Sequence, residues 1–469
     1  MRSIYLKKSI FIFLGLIIPN FIFAFNFTTD LQLRYDISAR QPLNQYLSFE
    51  AEHETEYINF FWDFSISNDL KYQPSHGENL YFGFYFFMER GGLSLNFKDI
   101  DFTVGRTSLE DEVESPYSLF VSSKLPPALL ADFSFDDGIF FFKSRWTELN
   151  RSSNLGFPDR GWQYNSYGLH IGDFRIGFQD SSVYTGTSFD PEYFLNPLPG
   201  FLKQYTLISA GKPWSSGGNA NSIVGFFTEY ENADLYLYGQ LLIDDFTNIL
   251  GLFNPATVMN PNKIAWSLGG DYDMEYGKIG FYHAGATKYT FQSFGAAGTD
   301  SKYGYTFYPA VTYTANGVLM PIKLEDNYLG YYLGENNISF LINYEGEYYD
   351  AGLYAAVEFS LSGDKSPANP WHQYSWYTED TPYGTKLLDS ENIEKRLVFQ
   401  FGASRPMTEI GLPNLVLSLS GEIGYIWNVL NLVDVPAEKQ TPHNNIQYWS
   451  PSNKNSLVLS IAVGGRYTF

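Results

Sequence analysis

The sequence predicts an all-β protein, a transmembrane antiparallel β-barrel of about 18 strands (16–20) with long loops at one end. Three observations predict it: a low charged fraction beside a very high aromatic fraction, an apolar leader, and segments whose apolar residues recur at every second position. Of the 469 residues, 17% are charged and 19% are aromatic, too few ionic side chains to cover several water-soluble domains. Part of the surface is therefore expected to face something other than water.

The first 24 residues read as a secretory signal peptide. Three cations, the last of them Lys8, precede an apolar run from Ile10 to Ile18, and Ala24 offers a small residue for cleavage. A membrane anchor is the alternative, but the run is short for a spanning helix and Pro19 interrupts it. Residues 25–469 then form a single barrel domain.

Charge and composition exclude several classes of protein. Removal of the three leader cations leaves 27 positive against 51 negative side chains, a net charge of −24, so a nucleic acid is not an expected partner. The chain has no cysteine, which excludes disulfide scaffolds, thiolate zinc sites and cysteine nucleophiles. We expect no cofactor and no metal.

The C-terminal segments show the alternation most clearly. Leu457, Leu459, Ile461 and Val463 share one parity, while the opposite parity is polar or small, as at Ser460. The segments around 353–361, 397–403 and 415–427 repeat the pattern. Each such strand is expected to have one face toward membrane lipid and one toward a polar lumen.

The ends of these segments are aromatic, and this separates a membrane barrel from a soluble sandwich. Tyr425 with Trp427 and Tyr348 with Tyr349 match the interfacial girdles of membrane barrels. The C-terminal Tyr467 and Phe469, preceded by apolar residues at alternate positions, resemble the assembly signal of bacterial outer-membrane barrel proteins. The resemblance implies location in the outer membrane of a diderm bacterium, with outer-membrane lipid and the barrel-assembly machinery as partners.

About twenty segments read as strands, and the turns between them should alternate between the two ends of a barrel. They do not do so everywhere: three candidate strands, including Gln204–Gly211, fall between the turns at Gly172 and Glu231. Leu80–Met88 and Leu93–Phe97 read as separate strands. Since even strand numbers are the rule, 18 is the prediction. The long connections are 107–128, 181–203, 245–262, 288–323, 363–392 and 428–454.

Three carboxylates are candidate lumen residues. Glu50, Glu52 and Glu54 are two residues apart and share one face of their strand. They form either an acidic comb that selects cations in a channel, or part of a balanced wall in which basic side chains of neighbouring strands pair with them.

Catalytic motifs are missing from the sequence. It contains no HExxH, GxSxG, Walker-type or strand-linked GxGxxG pattern. The histidines, His53, His76, His170, His283, His372 and His443, lack metal-ligand spacing. The sequence therefore predicts a protein that is not an enzyme.

The 363–392 connection carries candidate glycan contacts. Flat aromatic faces beside hydrogen-bond acceptors suit sugar rings. Anchoring at the lipid headgroup level is an equally good reading of the same aromatics. The 428–454 connection has a similar composition, with Trp449. The glycan-contact candidates are Trp371, Tyr374, Trp376, Tyr377 and Asp380.

Two stretches resemble the capsule-assembly (Wzi-like) barrels. One runs from Gly105-Arg106 through Ser115–Ser123 to Leu125-Pro126-Pro127, and the other from Val183 to Pro199, followed by Tyr236–Phe246. The resemblance implies an 18-stranded outer-membrane barrel, closed rather than freely open, that assists attachment or assembly of capsular or other surface polysaccharide. The sequence shows no clear helical plug segment. The alternative function is a general diffusion porin for small hydrophilic solutes, which requires an open lumen and an inward loop with a charged constriction.

Overall fold

A computed structural model gives the architecture. It describes residues 26–37, 42–69, 81–153, 156–203, 220–244, 262–292, 304–315, 318–366, 385–434 and 447–469. The predicted signal peptide lies outside these residues. Among them, no helix is long and apolar enough to cross a membrane.

Strands make up most of the described chain. The barrel strands are β1 (Asn26–Asp36), β2 (Leu43–Glu54), β3 (Ile58–Ser67), β4 (Tyr85–Phe97), β5 (Ile100–Thr107), β6 (Ala128–Asp136), β7 (Phe140–Asn150), β8 (Arg160–Ile171), β9 (Phe174–Thr185), β10 (Ala220–Glu231), β11 (Leu235–Asp244), β12 (Ile264–Met274), β13 (Gly277–Ala286), β16 (Asn337–Tyr348), β17 (Ala351–Ser362), β18 (Glu394–Met407), β19 (Leu412–Trp427) and β22 (Ser456–Thr468). Two hairpins, β14 (Thr312–Ala315) with β15 (Val318–Pro321) and β20 (Leu430–Asp434) with β21 (Gln447–Pro451), lie in connections. The helical elements are short: Pro191–Leu195, Gly200–Leu202, Leu324–Asp326 and Thr408–Ile410.

The sheet closes on itself. Each barrel strand pairs antiparallel with its neighbours in chain order, and β1 pairs with both β2 and β22. Thr28 lies opposite Glu50 on one side and Thr468 on the other. The predicted closed antiparallel barrel of 18 strands is confirmed.

Two details of the strand assignment were wrong. Residues Tyr85–Met88 of the first predicted strand and the second predicted strand, Leu93–Phe97, belong to one strand, β4, in which a bulge opposite Asp63 shifts the register. The expected loop 181–203 begins late, because β9 continues to Thr185. The predicted strand Gln204–Gly211 lies outside the described residues.

The alternation of turns and loops is regular in the structure. β9 pairs directly with β10, so two strands, not three, separate the turns after β8 and β10. The first residue of β1, Asn26, and the last residue of β22, Thr468, lie with the short turns at one end, which we call the turn end, and the long connections lie at the other, the loop end. At the β6–β7 turn, the carboxylate of Asp137 accepts the amides of Ile139 and Phe140, and Gly138 adopts a φ of 83°.

The two parities of each strand meet different surroundings. In β22, Ile461 and Val463 point outward and are 42% and 56% exposed, while Ser460 and Ala462 point inward and are buried. Aromatic side chains mark both rims, with Trp427 at the loop end and Tyr348 at the turn end. Exposed apolar side chains thus cover the outside of the strands, between two aromatic rims.

Candidate functional site

Two segments that connect barrel strands fold into the lumen. Residues 108–127, between β5 and β6, and residues 322–336, just before β16, pack against the inner faces of β6–β13, β16 and β17, and together we call them the plug. The apolar side chains buried in the plug are Leu109, Val113, Tyr117, Leu119, Phe120, Val121, Tyr328, Leu329, Tyr331, Tyr332 and Leu333. Apart from the single helical turn Leu324–Asp326, the plug is coil, which is why no helical pattern in the sequence revealed it.

The two plug segments touch each other closely. The Ser122 amide donates to the Leu329 carbonyl at 2.7 Å. A Cβ on Gly330 would lie 2.0 Å from the Leu119 carbonyl oxygen, so only glycine allows this crossing. Tyr305, which lies outside both segments, also packs here, and its hydroxyl donates to the Phe120 carbonyl at 2.7 Å. The segments therefore form one packed unit.

Asp111 fixes the fold of the first plug segment. Its carboxylate accepts the backbone amides of Phe120 and Val121, at 3.0 and 3.1 Å, which closes the segment into a loop. Gln179 of β9 and Gln240 of β11 donate to the same carboxylate from the wall, at 2.6 and 3.2 Å. A buried charge needs such donors in place of water. Burial raises the pKa of Asp111 despite them.

The next residue, Glu112, forms an ionic cluster deep in the barrel. It pairs with Lys143 of β7 at 2.9 Å and with Arg175 of β9, and Arg175 also pairs with Glu229 at 2.9 Å. Burial alone would raise the pKa of Glu112, but the attraction of Lys143 and Arg175 outweighs it and lowers the pKa to about 2. Arg175 lies at the turn end of β9, so the plug passes through most of the barrel.

The opposite side of the plug reaches β17. The hydroxyls of Tyr117 and Tyr332, one from each plug segment, both donate to the buried carboxylate of Glu358, the first at 3.0 Å. Since Asp111 and Glu112 contact β7, β9 and β11, the plug bridges the lumen between two distant parts of the wall.

The rest of the lumen is lined differently. Inward residues of β19, β22 and β1 are short or polar, and Ser418, Ser420 and Arg34 are exposed to the lumen. We call the inner faces of β19, β22, β1, β2 and β3 the polar half of the lumen, and the part occupied by the plug the packed half.

The three predicted lumen carboxylates lie in the polar half. All three lie on the inward parity of β2, but they do not act as one group. Glu50 accepts from Arg466 of β22 at 2.9 Å, as the balanced-wall interpretation requires. Glu52 accepts from Asn59 at 2.7 Å, and Glu54 is exposed where β2 ends.

The predicted glycan contacts Trp371, Tyr374, Trp376, Tyr377 and Asp380 lie outside the described residues. The base of their loop is described, and it joins the second aromatic loop. Lys365 and Trp449 exchange backbone hydrogen bonds of 2.9 and 2.8 Å. Asp364 accepts from Ser390 at 2.9 Å and from Ser450 at 2.7 Å. The two loops predicted to contact glycan therefore share one base.

This loop base continues into the plug. The Lys365 ammonium donates to the Leu333 carbonyl, and the Ser366 amide donates to the buried Glu335 at 2.6 Å. Burial raises the pKa of Glu335 to about 7 and lowers that of Lys365 to about 8. Plug and loop base thus form a continuous structure from the lumen to the loop end.

Sequence reasoning missed the plug anchors. A signal was present: Lys143 and Arg145 share the inward parity of β7, and the run Glu110–Glu112 supplies acids in the adjoining loop. The structure joins them, since Arg145 donates to the Glu110 carbonyl at 2.7 Å. His170 hydrogen-bonds with Asp136, and His283 accepts from the Trp266 indole. That the protein is not an enzyme stays a prediction.

Comparisons with known proteins place the fold. No family model and no curated protein matches the sequence. The structure is similar to Wzi of Escherichia coli, described as an outer-membrane protein involved in group 1 capsule assembly and a carbohydrate-binding β-barrel, with 10% identity and a TM-score of 0.51 over 95% of this chain and 85% of that one. Two Pseudomonas aeruginosa proteins, OccK8 (OprE) and the outer-membrane protein OpdK, match 95% of this chain and 97% and 98% of their own, with 8% and 9% identity and TM-scores of 0.46 and 0.45. The chain has the fold of the outer-membrane β-barrel proteins, and its resemblance to Wzi extends over nearly its full length.

Proposed function

We propose that this protein is an outer-membrane barrel that assists attachment or assembly of capsular or other surface polysaccharide. The plug that fills the packed half of the lumen is the observation that carries the proposal. Two plug segments, tied to β7, β9 and β11 on one side and to β17 on the other, occupy space that a diffusion pore needs. A barrel that holds a polymer at its outer mouth has no such need.

The loop base supports a binding role at that mouth. The contact between Lys365 and Trp449 brings together the roots of the two aromatic loops. Because the mature chain carries a net charge of −24, it repels acidic glycans within about a Debye length of roughly 8–10 Å. The glycan is therefore neutral or is bridged by cations, and stacking on aromatic rings supplies the attraction.

Replacement of Trp371 and Trp376 together by alanine tests the glycan site. The double variant is expected to release polysaccharide from cells, because stacking is lost, while barrel assembly stays normal. Trp427→Ala is the matched control, since this exposed tryptophan ends β19 and lies in the outward girdle. Full retention of glycan by the double variant, with normal amounts of barrel in the membrane, contradicts the proposal.

We also propose that the C-terminal Phe469 acts as a signal for assembly of the barrel. Its amide donates to the Phe27 carbonyl at 3.0 Å, and its side chain is 74% exposed, so the finished barrel gains little from the ring. Deletion of Phe469 is expected to lower the amount of inserted protein much more than its stability once inserted. Normal insertion in cells would remove this role.

The diffusion porin is the second candidate, and the polar half of the lumen favours it. Exposed inward residues such as Ser420 and Arg34 line a wet surface beside the plug. Planar-bilayer conductance of the refolded protein separates the two functions. Large, steady channels at neutral pH support the porin, and their absence supports the closed barrel.

A further inference from the structure

The outer wall of the barrel has a polar patch where an apolar surface is expected. On β8 and β9 the outward residues near the turn end are apolar and exposed, as at Leu169 and Ile176. Toward the loop end the same parity turns polar, yet these side chains are buried: Gln163, Asn165, Asp180 and Ser182 are each 0% exposed. Something other than lipid therefore covers them.

The cover is the connection that follows β9. Residues 186–203, which we call the outer strap, lie on the outside of β7–β10. The Gly200 amide donates to the Asp180 carboxylate at 2.7 Å. The Ser144 hydroxyl of β7 donates to the Phe194 carbonyl at 2.9 Å, and the Tyr167 hydroxyl of β8 to the Pro197 carbonyl at 2.8 Å. Polar wall residues thus satisfy the backbone of the strap, and the strap shields them.

The strap also packs tightly. A Cβ on Gly200 would lie 2.1 Å from the Ser182 hydroxyl oxygen, so the strap backbone rests directly on the wall. Tyr193 stacks on Tyr184 of β9 with ring centres 4.6 Å apart and planes 17° apart. The Trp146 indole of β7 donates to the Ser188 carbonyl at 2.6 Å. These contacts fix which side of the strap faces away from the barrel.

That far side is apolar. Leu195 is 72% exposed, Leu198 42% and Leu202 37%, next to an equally exposed wall residue of β10, Phe226 at 54%. In water this arrangement is unfavourable for two reasons. It exposes leucines, and it buries a carboxylate that water would solvate. Against hydrocarbon it is favourable, since the strap replaces a polar surface with an apolar one.

We propose that the outer strap is a membrane-facing part of the protein whose leucines contact the acyl chains of the surrounding lipid leaflet. Lipid is the inferred partner because the exposed leucines of the strap continue the apolar band that Phe226 and Leu241 form on the neighbouring strands. This inference rests on the membrane placement in the proposed function. It does not depend on the glycan role.

Site-directed spin labelling tests the strap, because the chain has no cysteine of its own. Leu195→Cys is labelled and the protein is reconstituted in phosphatidylcholine vesicles. Its collision rates with oxygen, which concentrates in lipid, and with a water-soluble nickel chelate are then compared. Leu241→Cys on β11 is the lipid-facing control, and Glu192→Cys, exposed on the same short helix, is the control for the polar side.

We expect Leu195→Cys to favour oxygen as strongly as Leu241→Cys does, and Glu192→Cys to favour nickel. The same result is expected at Leu198→Cys, which guards against a local effect of one label. A nickel-favouring label at both strap positions, with Leu241→Cys still in lipid, overturns the strap inference alone. Protection from both reagents at the strap means that a second copy of the chain covers it, which also overturns it. If Leu241→Cys itself favours nickel, the membrane placement fails.

Discussion

The packed and polar halves of the lumen have the same wall but opposite interiors. In the packed half, inward residues such as Ala284 of β13 are fully buried against the plug. In the polar half, several inward residues of β19 and β1, such as Ser420 and Arg34, are exposed. Both halves follow the same alternation along their strands, so the parity of a strand decides only which side chains point inward. Whether those inward side chains contact the plug or face open lumen depends on the connections between the strands.

The difference shows how each half is stabilised. The packed half depends on buried charges whose partners come from the wall, as with Asp111 and Glu112. The polar half has partly exposed pairs, such as Arg466 with Glu50. Buried pairs are costly to break and exposed ones are not, so equivalent substitutions should have very different effects in the two halves.

Replacing an inward residue by arginine should give the largest difference in stability between the two halves. Ala284→Arg places a long cation in a core with no room for it, and we expect a loss of more than about 4 kcal/mol in the free energy of unfolding. Ser420→Arg has water around it and should change that free energy by about 0.5 kcal/mol or less. Urea unfolding from lipid vesicles measures both. Equal losses would remove the distinction between the halves.

Removal of one carboxylate from each half should give a smaller difference in the free energy of unfolding. Asp111→Ala leaves the amides of Phe120 and Val121 without their acceptor and should cost roughly 2–4 kcal/mol. Asp30→Ala, on the inner face of β1, loses one hydrogen bond from Gln32 and should cost about 0.5–1 kcal/mol. Hydrogen exchange at 109–121 should accelerate only in the first variant. Unchanged exchange there would show that Asp111 does not hold the plug.

Acid should loosen the packed half before the polar half. The pKa of Glu112 falls from 4.5 to about 2 on folding, so its contribution to stability is complete above pH 4.5 and is lost as the pH falls toward 2. Exchange at 109–121 is therefore expected to rise between pH 5 and pH 3. Glu112→Gln should already be loosened at pH 7 and should change less over that interval. A variant as pH-sensitive as the wild type would exclude Glu112 as the cause.

The smallest effect is expected at an exposed pair. Arg466→Gln removes the partner of Glu50, but the two side chains are 53% and 30% exposed, so the loss should stay below about 1 kcal/mol. Arg175→Gln, the matched change in the packed half, breaks two pairs with buried carboxylates and should cost clearly more. Similar unfolding midpoints for the two variants would contradict this ranking.

The barrel itself was predictable because a period of two residues is a local signal. Leu457, Ile461 and Val463 point outward and Ser460 inward because successive side chains of a strand alternate, whatever their distant neighbours are. The number of strands followed from the turns and from the rule of even strand number. The division of β4 failed because its bulge interrupts that alternation near Arg90.

The plug and the strap were not predictable in the same way. Segment 108–127 has no periodicity, and its contacts with Gln240 and Glu358 join residues far apart in the sequence. The strap left a trace: Gln163, Asn165 and Asp180 interrupt an outward apolar face. A polar residue at an outward position of a membrane strand therefore indicates that another part of the chain covers it. The glycan-contact residues remain predictions.

The pairing of β1 with β22 has a consequence for the timing of folding. Thr28 and Thr468 are 440 positions apart in the sequence, and their side-chain oxygens lie 3.4 Å from each other. Until the 13 residues of β22 have arrived, the first strand has an unpaired edge that can join a strand of another chain. Closure is therefore a late and slow event that needs the complete polypeptide. Truncation within β22 is expected to leave two reactive edges and an aggregating chain.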